Sequence, residues 1–444
     1  MPLDASHASG TLDRAESLLA AHPEIRAANI YVAAILADDS AVQRFIGEDP
    51  SSATRKGGPR NWDALTHLCF SRYLRLDRSR SLKFLKAATA LLDAGADANT
   101  GWFENDHQPM PEWESALYGA AGVAHNADLT GLLLERGANP NDGEVTYHVP
   151  ETYDNDALEV LVNSGDLSDD SMATLLLRKC DWHDYDGIAF LIANGADPNR
   201  HTHWGNTALQ HAVVRDNSLE IIDLLVRHGG NPLRVSPPAK RPHQLSGTRS
   251  SVEIAAWRGR RDVLDMFEER GFPIKLTGVA GLVAACARDN AEAVADIVAR
   301  EPDSVNELRA HGGRLLSMFA GVGNVEGMRQ LLSLGVGVDD LFEEGDGYYG
   351  IARNSRALHV AAWRARHEAL KMLLEQRADV DATDADGRTP LALAVKACVD
   401  SYWTERRTPE SVRALLDAGA STRGVAFPSG YKEVDDLIES HLSK

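Results

Sequence analysis

The chain has 444 residues, of which 43% are hydrophobic and 25% are charged, a composition typical of a folded protein and too apolar for a disordered one. Acidic side chains number 65 against 46 basic ones, an excess of 19, so the protein repels phosphate and we expect neither a nucleic-acid nor an anionic-membrane partner. No apolar run is long enough to span a bilayer, which excludes a transmembrane protein.

The N-terminal residues carry three short amphipathic segments, Leu12–Ala21, Asn29–Ala37 and Ala41–Ile46, which predict short helices. The first ten residues lack the apolar segment of a secretion signal. We therefore expect irregular short helices in this segment. We also expect the protein to be cytoplasmic.

Farther along the chain, a recurring phrase marks helix ends: two aliphatic residues, two more positions, then Gly-Ala and Asp or Asn. The first copy, Leu91-Leu92-Asp93-Ala94-Gly95-Ala96-Asp97, is followed by full or weaker copies with glycine at Gly137, Gly165, Gly195, Gly229, Gly271, Gly335 and Gly419. Glycine adopts the left-handed conformation that closes a helix, and Asp and Asn favour the turn that follows. Arg377 replaces the glycine in one copy, so we expect that helix to end differently.

A second phrase, a small polar residue followed by Ala or Pro, Leu and an Ala-rich turn, lies upstream of the first. Thr389-Pro390-Leu391 is its clearest copy, because proline suits the first position of a helix. Together the phrases describe two helices followed by a projecting turn. The spacing stretches to 42 residues between Gly95 and Gly137, which indicates an insertion, and to 64 between Gly271 and Gly335, which is enough for two repeats.

These phrases resemble the ankyrin repeat, with its T-P-L-H-x-A signature and period of about 33 residues. The resemblance implies an all-α solenoid of stacked helix-turn-helix units with extended inter-repeat loops. It predicts degenerate N-terminal cap repeats in residues 1–60, the solenoid in 61–420 and a C-terminal capping helix in 421–444. Val434, Leu437, Ile438 and Leu442 are placed on one face of that capping helix.

Between residues 100 and 205 the inter-helix segments carry more aromatic, acidic and histidine side chains than a bare turn needs. We interpret Thr100–Ser115, Asp142–Asp156 and the segment holding His203 as projecting turns, and Asp181–Asp186 as lying between two helices or at the end of the first. The candidate binding residues are Trp102, Glu104, Asp106, His107, Trp113, Glu114, Tyr118, Tyr147, His148, Glu151, Tyr153, Asp154, Trp182, His183, Asp184, Tyr185, His203 and Trp204.

Two further candidates, Trp257 and Trp363, occupy equivalent places in two Ala-Ala-Trp-Arg phrases. The ankyrin resemblance places that position toward the groove, where an aromatic ring can anchor a partner. Alanine at Trp102 or Trp113 is expected to weaken partner binding without unfolding the chain.

The resemblance implies a non-enzymatic scaffold, a monomer without cofactor or metal, that binds an unidentified protein or peptide on its concave face. One alternative is a small-molecule or carbohydrate site in residues 100–205, with catalysis by its carboxylates as a further option. A second is an acidic, immunity-type protein that neutralises a basic partner. The aromatic residues also fit plain packing of long loops, and His201, His203 and His183 match no metal-ligand spacing.

The four cysteines, Cys69, Cys180, Cys286 and Cys398, lie far apart in the sequence and form no CxxC pair. Each belongs to an apolar helical run, where a free cysteine behaves as a small hydrophobic residue. This pattern predicts free thiols and a reducing compartment.

Overall fold

The computed structural model describes residues 10–105, 112–237 and 247–443. The chain divides into two compact units. The N-terminal unit comprises Pro2–Ala212 with Arg227–Gly230, and the C-terminal unit comprises Val213–Val226 with Asn231–Lys444. Helix accounts for 59% of the structure and strand for 4%, so the predicted helical character is confirmed.

The secondary structure of the described residues follows the chain as a succession of short helices. In the first half they are α1 Asp13–Ala21, α2 Ile30–Leu36, α3 Asp39–Glu48, α4 Ala64–Cys69, α5 Arg72–Leu76, α6 Ser81–Asp93, α7 Ala127–Glu135, α8 Gly143–His148, α9 Asp156–Asn163, α10 Asp169–Trp182, α11 Tyr185–Ala193 and α12 Ala208–Val214. In the second half they are α13 Leu219–Arg227, α14 Ser251–Trp257, α15 Arg261–Glu269, α16 Gly278–Ala287, α17 Ala291–Arg300, α18 Asp303–Ala310, α19 Gly312–Val322, α20 Val325–Ser333, α21 Ala357–Trp363, α22 His367–Glu375, α23 Pro390–Asp400, α24 Glu410–Asp417 and α25 Lys432–Leu442. A π-helical turn spans Tyr118–Val123, and 3₁₀ turns span Pro23–Ala27, Pro50–Ala53, Arg78–Arg80, Gly347–Tyr349 and Thr404–Arg406.

The predicted helix ends are confirmed. All eight glycines of the recurring phrase have positive φ angles, from 78° to 96°. At Gly195 (φ 92°) the amide donates to Ile192 O, and the next amide, of Ala196, donates to Leu191 O. These bonds satisfy carbonyls that the helix itself leaves open.

Arg377 closes α22 in the same left-handed conformation as the glycines, with φ 61°. Its amide donates to Leu374 O at 2.9 Å and that of Ala378 to Leu373 O at 3.1 Å. The expectation that this helix ends differently is therefore wrong. The arginine adopts the glycine geometry at a cost of about 1–2 kcal/mol of backbone strain.

The Asp and Asn of the phrase form different hydrogen bonds in the turns of the N-terminal unit. Asp97 Oδ1 accepts from the amide of Asn99 at 2.9 Å, which closes the turn itself. The Asn99 side chain then bridges to the next turn, donating to Gly137 O and accepting from the amide of Asn139. Successive turns are thus tied together by side-chain to backbone hydrogen bonds.

Within each unit, equivalent helices pack on one another. In the C-terminal unit α19 packs on α21 and α21 on α23, while α20 contacts α22 and α22 contacts α24. Small residues such as Ala361 and Ala362 let the first helices approach closely, and leucines such as Leu373 and Leu415 are fully buried. Each buried leucine contributes about 1.5–3 kcal/mol.

Three segments depart from the predicted pattern. Gly101–Glu104 (β1) and Glu112–Ser115 (β2) form a two-stranded antiparallel sheet, so the chain is not all-α. The segment Asp142–Asp156 is not simply a turn, because α8 begins within it at Gly143. Between Gly271 and Gly335, where the spacing is enough for two repeats, α17 ends at Arg300 and α18 follows from Asp303, where a projecting turn would be expected.

At the C-terminal end, α25 packs against α24 and buries Val434 and Ile438. Leu442 was expected on the same face but is 64% exposed. The four cysteines are buried and free, as predicted.

Candidate functional site

The hairpin β1–β2 replaces the first long turn of the candidate site. Its register pairs Trp102 with Glu114 and Phe103 with Trp113. Because side chains alternate between the faces of a strand, the two pairs lie on opposite faces. Gly101 is required where the strands meet, since a Cβ atom there would lie 2.2 Å from Glu114 O.

The two faces of the hairpin differ in exposure. Glu114 is only 5% exposed, whereas Trp113 is 37% and Phe103 57% exposed. Glu104 is half-buried opposite Glu112. The remaining candidates of this segment, Asp106 and His107, lie outside the described residues.

A continuous series of aromatic and imidazole rings crosses the N-terminal unit, and we call it the aromatic row. Its successive ring centroids are 4.8–5.7 Å apart, a spacing typical of favourable ring contacts. Trp102 joins it by stacking on Trp62 at 5.0 Å. In order, the row contains Tyr31, His67, Trp62, Phe70, Tyr118, His148, Tyr147 and Trp204, with Trp102 beside Trp62.

Except for the buried His67 and Tyr118, the members of the row are half-buried, so each exposes part of its ring. Five of the predicted site residues, Trp102, Tyr118, Tyr147, His148 and Trp204, thus share one feature. His203 contacts Trp204 at a centroid distance of 3.5 Å and extends the row.

Sequence reasoning missed the beginning of the row, formed by Tyr31, Trp62, His67 and Phe70. A usable signal existed, because Asp63-Ala64-Leu65, directly after Trp62, is a degenerate copy of the phrase whose clearest copy is Thr389-Pro390-Leu391. Asp63 takes the capping role, accepting a hydrogen bond from the amide of Thr66 at 2.9 Å.

The middle of the row carries a charged group that we call the acidic cluster: Glu114, Asp142, Glu144 and Glu151 around His148. His148 Nε2 lies 3.2 Å from Glu144 Oε2, and Nδ1 lies 2.9 Å from Glu151 Oε2. Burial disfavours the charged imidazole, but hydrogen bonds and charges of these two glutamates outweigh it and raise the pKa of His148 to about 9.

The pKa of Glu114 is also raised, but by different causes. Burial is the main cause and the negative charge of Glu144 the next, and together they raise the pKa of Glu114 to about 7. Burial also raises the pKa of Asp142. At neutral pH the cluster therefore combines a charged imidazole with a carboxyl group near its titration midpoint.

Arg178 links the acidic cluster to the next helices. Its guanidinium forms ion pairs with Glu151 and Asp181 and lies over the Tyr147 ring, 3.9 Å from the centroid. Asp181 in turn accepts from His211 Nε2 at 2.8 Å. These charge-assisted contacts stabilise the position of the Tyr147 ring.

Other candidates from residues 150–186 belong to a separate, mostly buried group. Trp182 is 2% exposed, and its ring centroid lies 5.5 Å from that of Tyr153. It therefore packs in the core, which corrects the expectation that it anchors a partner at the surface. Asp184 caps α11 and pairs with the fully buried Lys179 at 2.7 Å. Their role is to join α10 to α11.

The remaining candidates of this region also serve local structure. His183, in a left-handed conformation (φ 52°), ends α10, and Tyr185 begins α11 half-buried. Asp154 forms a largely exposed ion pair with Arg78 at 3.6 Å.

Trp257 and Trp363 lie in the C-terminal unit and are 9% and 6% exposed. The indole nitrogen of Trp363 donates to Tyr349 O at 2.6 Å, and Trp257 packs edge-on against His311. The expectation that both rings face a groove is therefore corrected, because each lies within the packed helices.

A cavity of about 520 Å³ lies beside the hairpin. The rings of Trp62, Trp102 and Trp113 line it together with the cations Lys56 and Arg60. Among described residues no group of three or more His, Cys, Asp or Glu could hold a metal ion, and no helix is long and apolar enough to cross a membrane.

Two comparisons bear on the origin of these features. The sequence model of the family described as ankyrin repeats (many copies) matches residues 176–226 and 358–400. A stretch of 84 residues is 33% identical to Serine/threonine-protein kinase 12 of Arabidopsis thaliana, covering 19% of this chain and 16% of that protein. The similarity thus spans about a sixth of the kinase.

Proposed function

Since this chain is an ankyrin-repeat protein, we propose that it is a binding scaffold that recognises a protein or peptide on the concave face of a solenoid, through the aromatic row. The observation that carries the proposal is the continuity of the row: half-buried rings from successive helix pairs follow one another at 4.8–5.7 Å. Partly exposed aromatic side chains are common anchors of interfaces.

The acidic cluster supports the same proposal and adds a preference. Glu144 and Glu151 flank the row at His148, and Glu104 lies on the same face of β1 as Trp102. A partner with basic side chains between apolar ones would match this alternation. The packed helix pairs behind the row supply rigidity, which limits the ordering entropy lost on binding.

The proposal keeps the predicted organisation: cap repeats in residues 1–60, the solenoid in 61–420 and a cap in 421–444. The packing of α25 on α24 supports the last element. We further propose a monomer located in the cytoplasm; the four free, buried cysteines support the reducing compartment.

To test the scaffold function, a displayed peptide library would be selected against the folded chain, and the affinity of an enriched, fluorescein-labelled peptide measured by anisotropy. Trp102→Ala and Trp204→Ala should each weaken binding at least about tenfold. Phe427→Ala is the matched control, because Phe427 is 49% exposed and belongs to the C-terminal unit. Circular dichroism verifies that each variant is folded.

Equal affinities of the two tryptophan variants and the control would contradict the proposed surface. The second alternative, an acidic protein that neutralises a basic partner, is tested with a lysine-rich peptide. For that reading, affinity for a lysine-rich peptide should fall steeply between low and physiological salt.

A small-molecule or carbohydrate site is the second candidate, favoured by the cavity of about 520 Å³ beside the hairpin. Tryptophan faces are suited to stacking, and the volume lies in the range of ligand pockets. A Trp113→Ala variant that loses a saturable thermal shift with an oligosaccharide would support it. Catalysis would additionally require turnover that Glu104→Gln abolishes, since Glu104 is the carboxylate that lines this cavity.

A further inference from the structure

The C-terminal unit contains a cavity of about 700 Å³, and no residue of the aromatic row lines it. It opens where α13, α15 and α20 begin, and Ser218, Arg261 and Asn324 line it. Helix N-termini carry partial positive charge and unsatisfied amide groups, so three of them at one cavity make an environment that favours anions.

The inner part of this region is an ion-pair network centred on Asp216. Arg258 donates twice to the Asp216 carboxylate, at 2.6 Å each, and Arg364 donates at 2.7 Å. All three side chains are at most 10% exposed. Asp216 is therefore already satisfied and does not neutralise other cations.

The other acidic residues that line the cavity also have partners. Asp262 forms a bidentate pair with Arg260 at 2.8 Å. Asp265 accepts from Arg288 at 2.8 Å, and Glu326 lies 3.7 Å from Arg329.

Two arginines of the cavity lack a comparable partner. Among the described residues Arg366 forms no ion pair, and its Nε donates only to the carbonyl of Gly321 at 3.0 Å. Arg406 pairs only with its neighbour Glu405, at 3.3 Å, and its Nη1 is buried without a hydrogen-bond partner. A buried guanidinium nitrogen without an acceptor is costly, and an anionic oxygen would remove that cost.

The charged residues that line the cavity balance, since Arg260, Arg261, Arg366 and Arg406 accompany Asp216, Asp262, Asp265 and Glu326. Each of these four acids, however, pairs with an arginine other than Arg366 and Arg406. Burial, and then the charges of Arg406 and Arg364, lower the pKa of Arg366 to about 9. Arg366 thus stays cationic at neutral pH but lacks compensating negative charge.

We propose that this cavity binds a small molecule through an oxyanion group, a phosphate or a carboxylate, held between Arg366 and Arg406. Guanidinium groups match the paired oxygens of both groups, and the partial positive charge of the nearby helix N-termini favours an anion. The volume accommodates a ligand larger than the oxyanion itself. This site is independent of the aromatic row, so either proposal can fail without the other.

The experiment is isothermal titration of the full-length chain with pyrophosphate and, separately, with citrate, at constant ionic strength set by NaCl. Arg366→Gln and Arg406→Gln remove one cation each, and Arg413→Gln is the matched control, since Arg413 is exposed on α24 and forms no ion pair among the described residues. Saturable binding to the wild type should weaken about ten- to a hundredfold in the first two variants and stay unchanged in the control.

Binding of pyrophosphate alone would assign a phosphate ligand, binding of citrate alone a carboxylate, and binding of both a general oxyanion site. Absence of saturable binding of either probe to the wild type overturns the proposal. Equal affinity in all three variants overturns it as well. Circular dichroism and Arg406→Lys, which retains the charge, separate loss of the site from loss of the fold.

Discussion

Arg364 Nη1 donates to Asp216 Oδ2 at 2.7 Å, across 148 residues of sequence. Arg258, which holds the same place as Arg364 in the other Ala-Ala-Trp-Arg phrase, binds the same carboxylate. Asp216 lies in a tight turn with φ 49°. Burial would raise its pKa, but the two arginines hold the pKa of Asp216 well below its usual range.

Asp216→Asn should lower the free energy of unfolding by about 3–5 kcal/mol, because it leaves two buried arginines without their common counter-charge. Asparagine keeps the shape and tolerates the left-handed backbone, so the variant isolates the charge. Urea unfolding at pH 7 measures the change. Asp223→Asn, which breaks the more exposed pair with Arg270, should cost about 1 kcal/mol or less.

The same pair has a defined pH dependence. Because the pKa of Asp216 is lowered by folding, its stabilising contribution is complete above the unfolded pKa of about 3.9 and is lost as pH falls through the folded value. Wild type and Asp216→Asn should therefore differ in stability at pH 7 and converge in acid. A constant difference down to pH 2 would contradict this assignment.

Glu114→Gln should stabilise the protein at pH 8 and change little at pH 5. The folded pKa of about 7 exceeds the unfolded one, so ionisation of Glu114 destabilises the fold progressively as pH rises from about 4.5 to 7. The full effect is on the order of 3 kcal/mol. Urea unfolding at both pH values tests it, with the exposed Glu135→Gln as control; a gain equal at pH 5 and pH 8 would argue against a raised pKa.

Arg377→Gly should stabilise the C-terminal unit by about 0.5–1 kcal/mol. Relief of the left-handed strain gains about 1–2 kcal/mol, and the greater freedom of glycine in the unfolded chain offsets part of it. The reciprocal change, Gly419→Arg, should destabilise by a similar amount, since φ is 88° and no atom lies within 4 Å of a Cβ there. Thermal unfolding of both variants measures the pair, and a loss of stability in Arg377→Gly would refute the strain.

Trp102→Ala should cost about 2 kcal/mol of stability, whereas Trp113→Ala should cost less than about 1 kcal/mol. Trp102 is half-buried and stacks on Trp62 at 5.0 Å, but Trp113 is 37% exposed and contacts Phe103 edge-on. The expectation that neither alanine variant unfolds the chain stays a prediction, and these two values give the loss of stability expected for each. Urea unfolding compares them, and equal losses would mean that the hairpin packs as a single element.

The sequence predicted part of the membership of the candidate site but not the arrangement of its residues. Tyr147, His148 and Trp204 stood out in the sequence because their residue types are unusual for turns. Their order in the aromatic row depends on α8. The sequence does not indicate this helix, because it begins at Gly143 and ends shortly before Pro150. Trp182 was misassigned because burial is not visible in a residue's type alone.

The sequence by itself determined where helices end, since Gly195 and its equivalents act through local hydrogen bonds within a few residues. It also determined the small residues that allow helix pairs to pack. Only the tertiary structure decided which distant side chains meet: Trp62 with Trp102, and Arg364 with Asp216. Those contacts join residues 40 and 148 positions apart, and their energies depend on burial and distance, which no local pattern encodes.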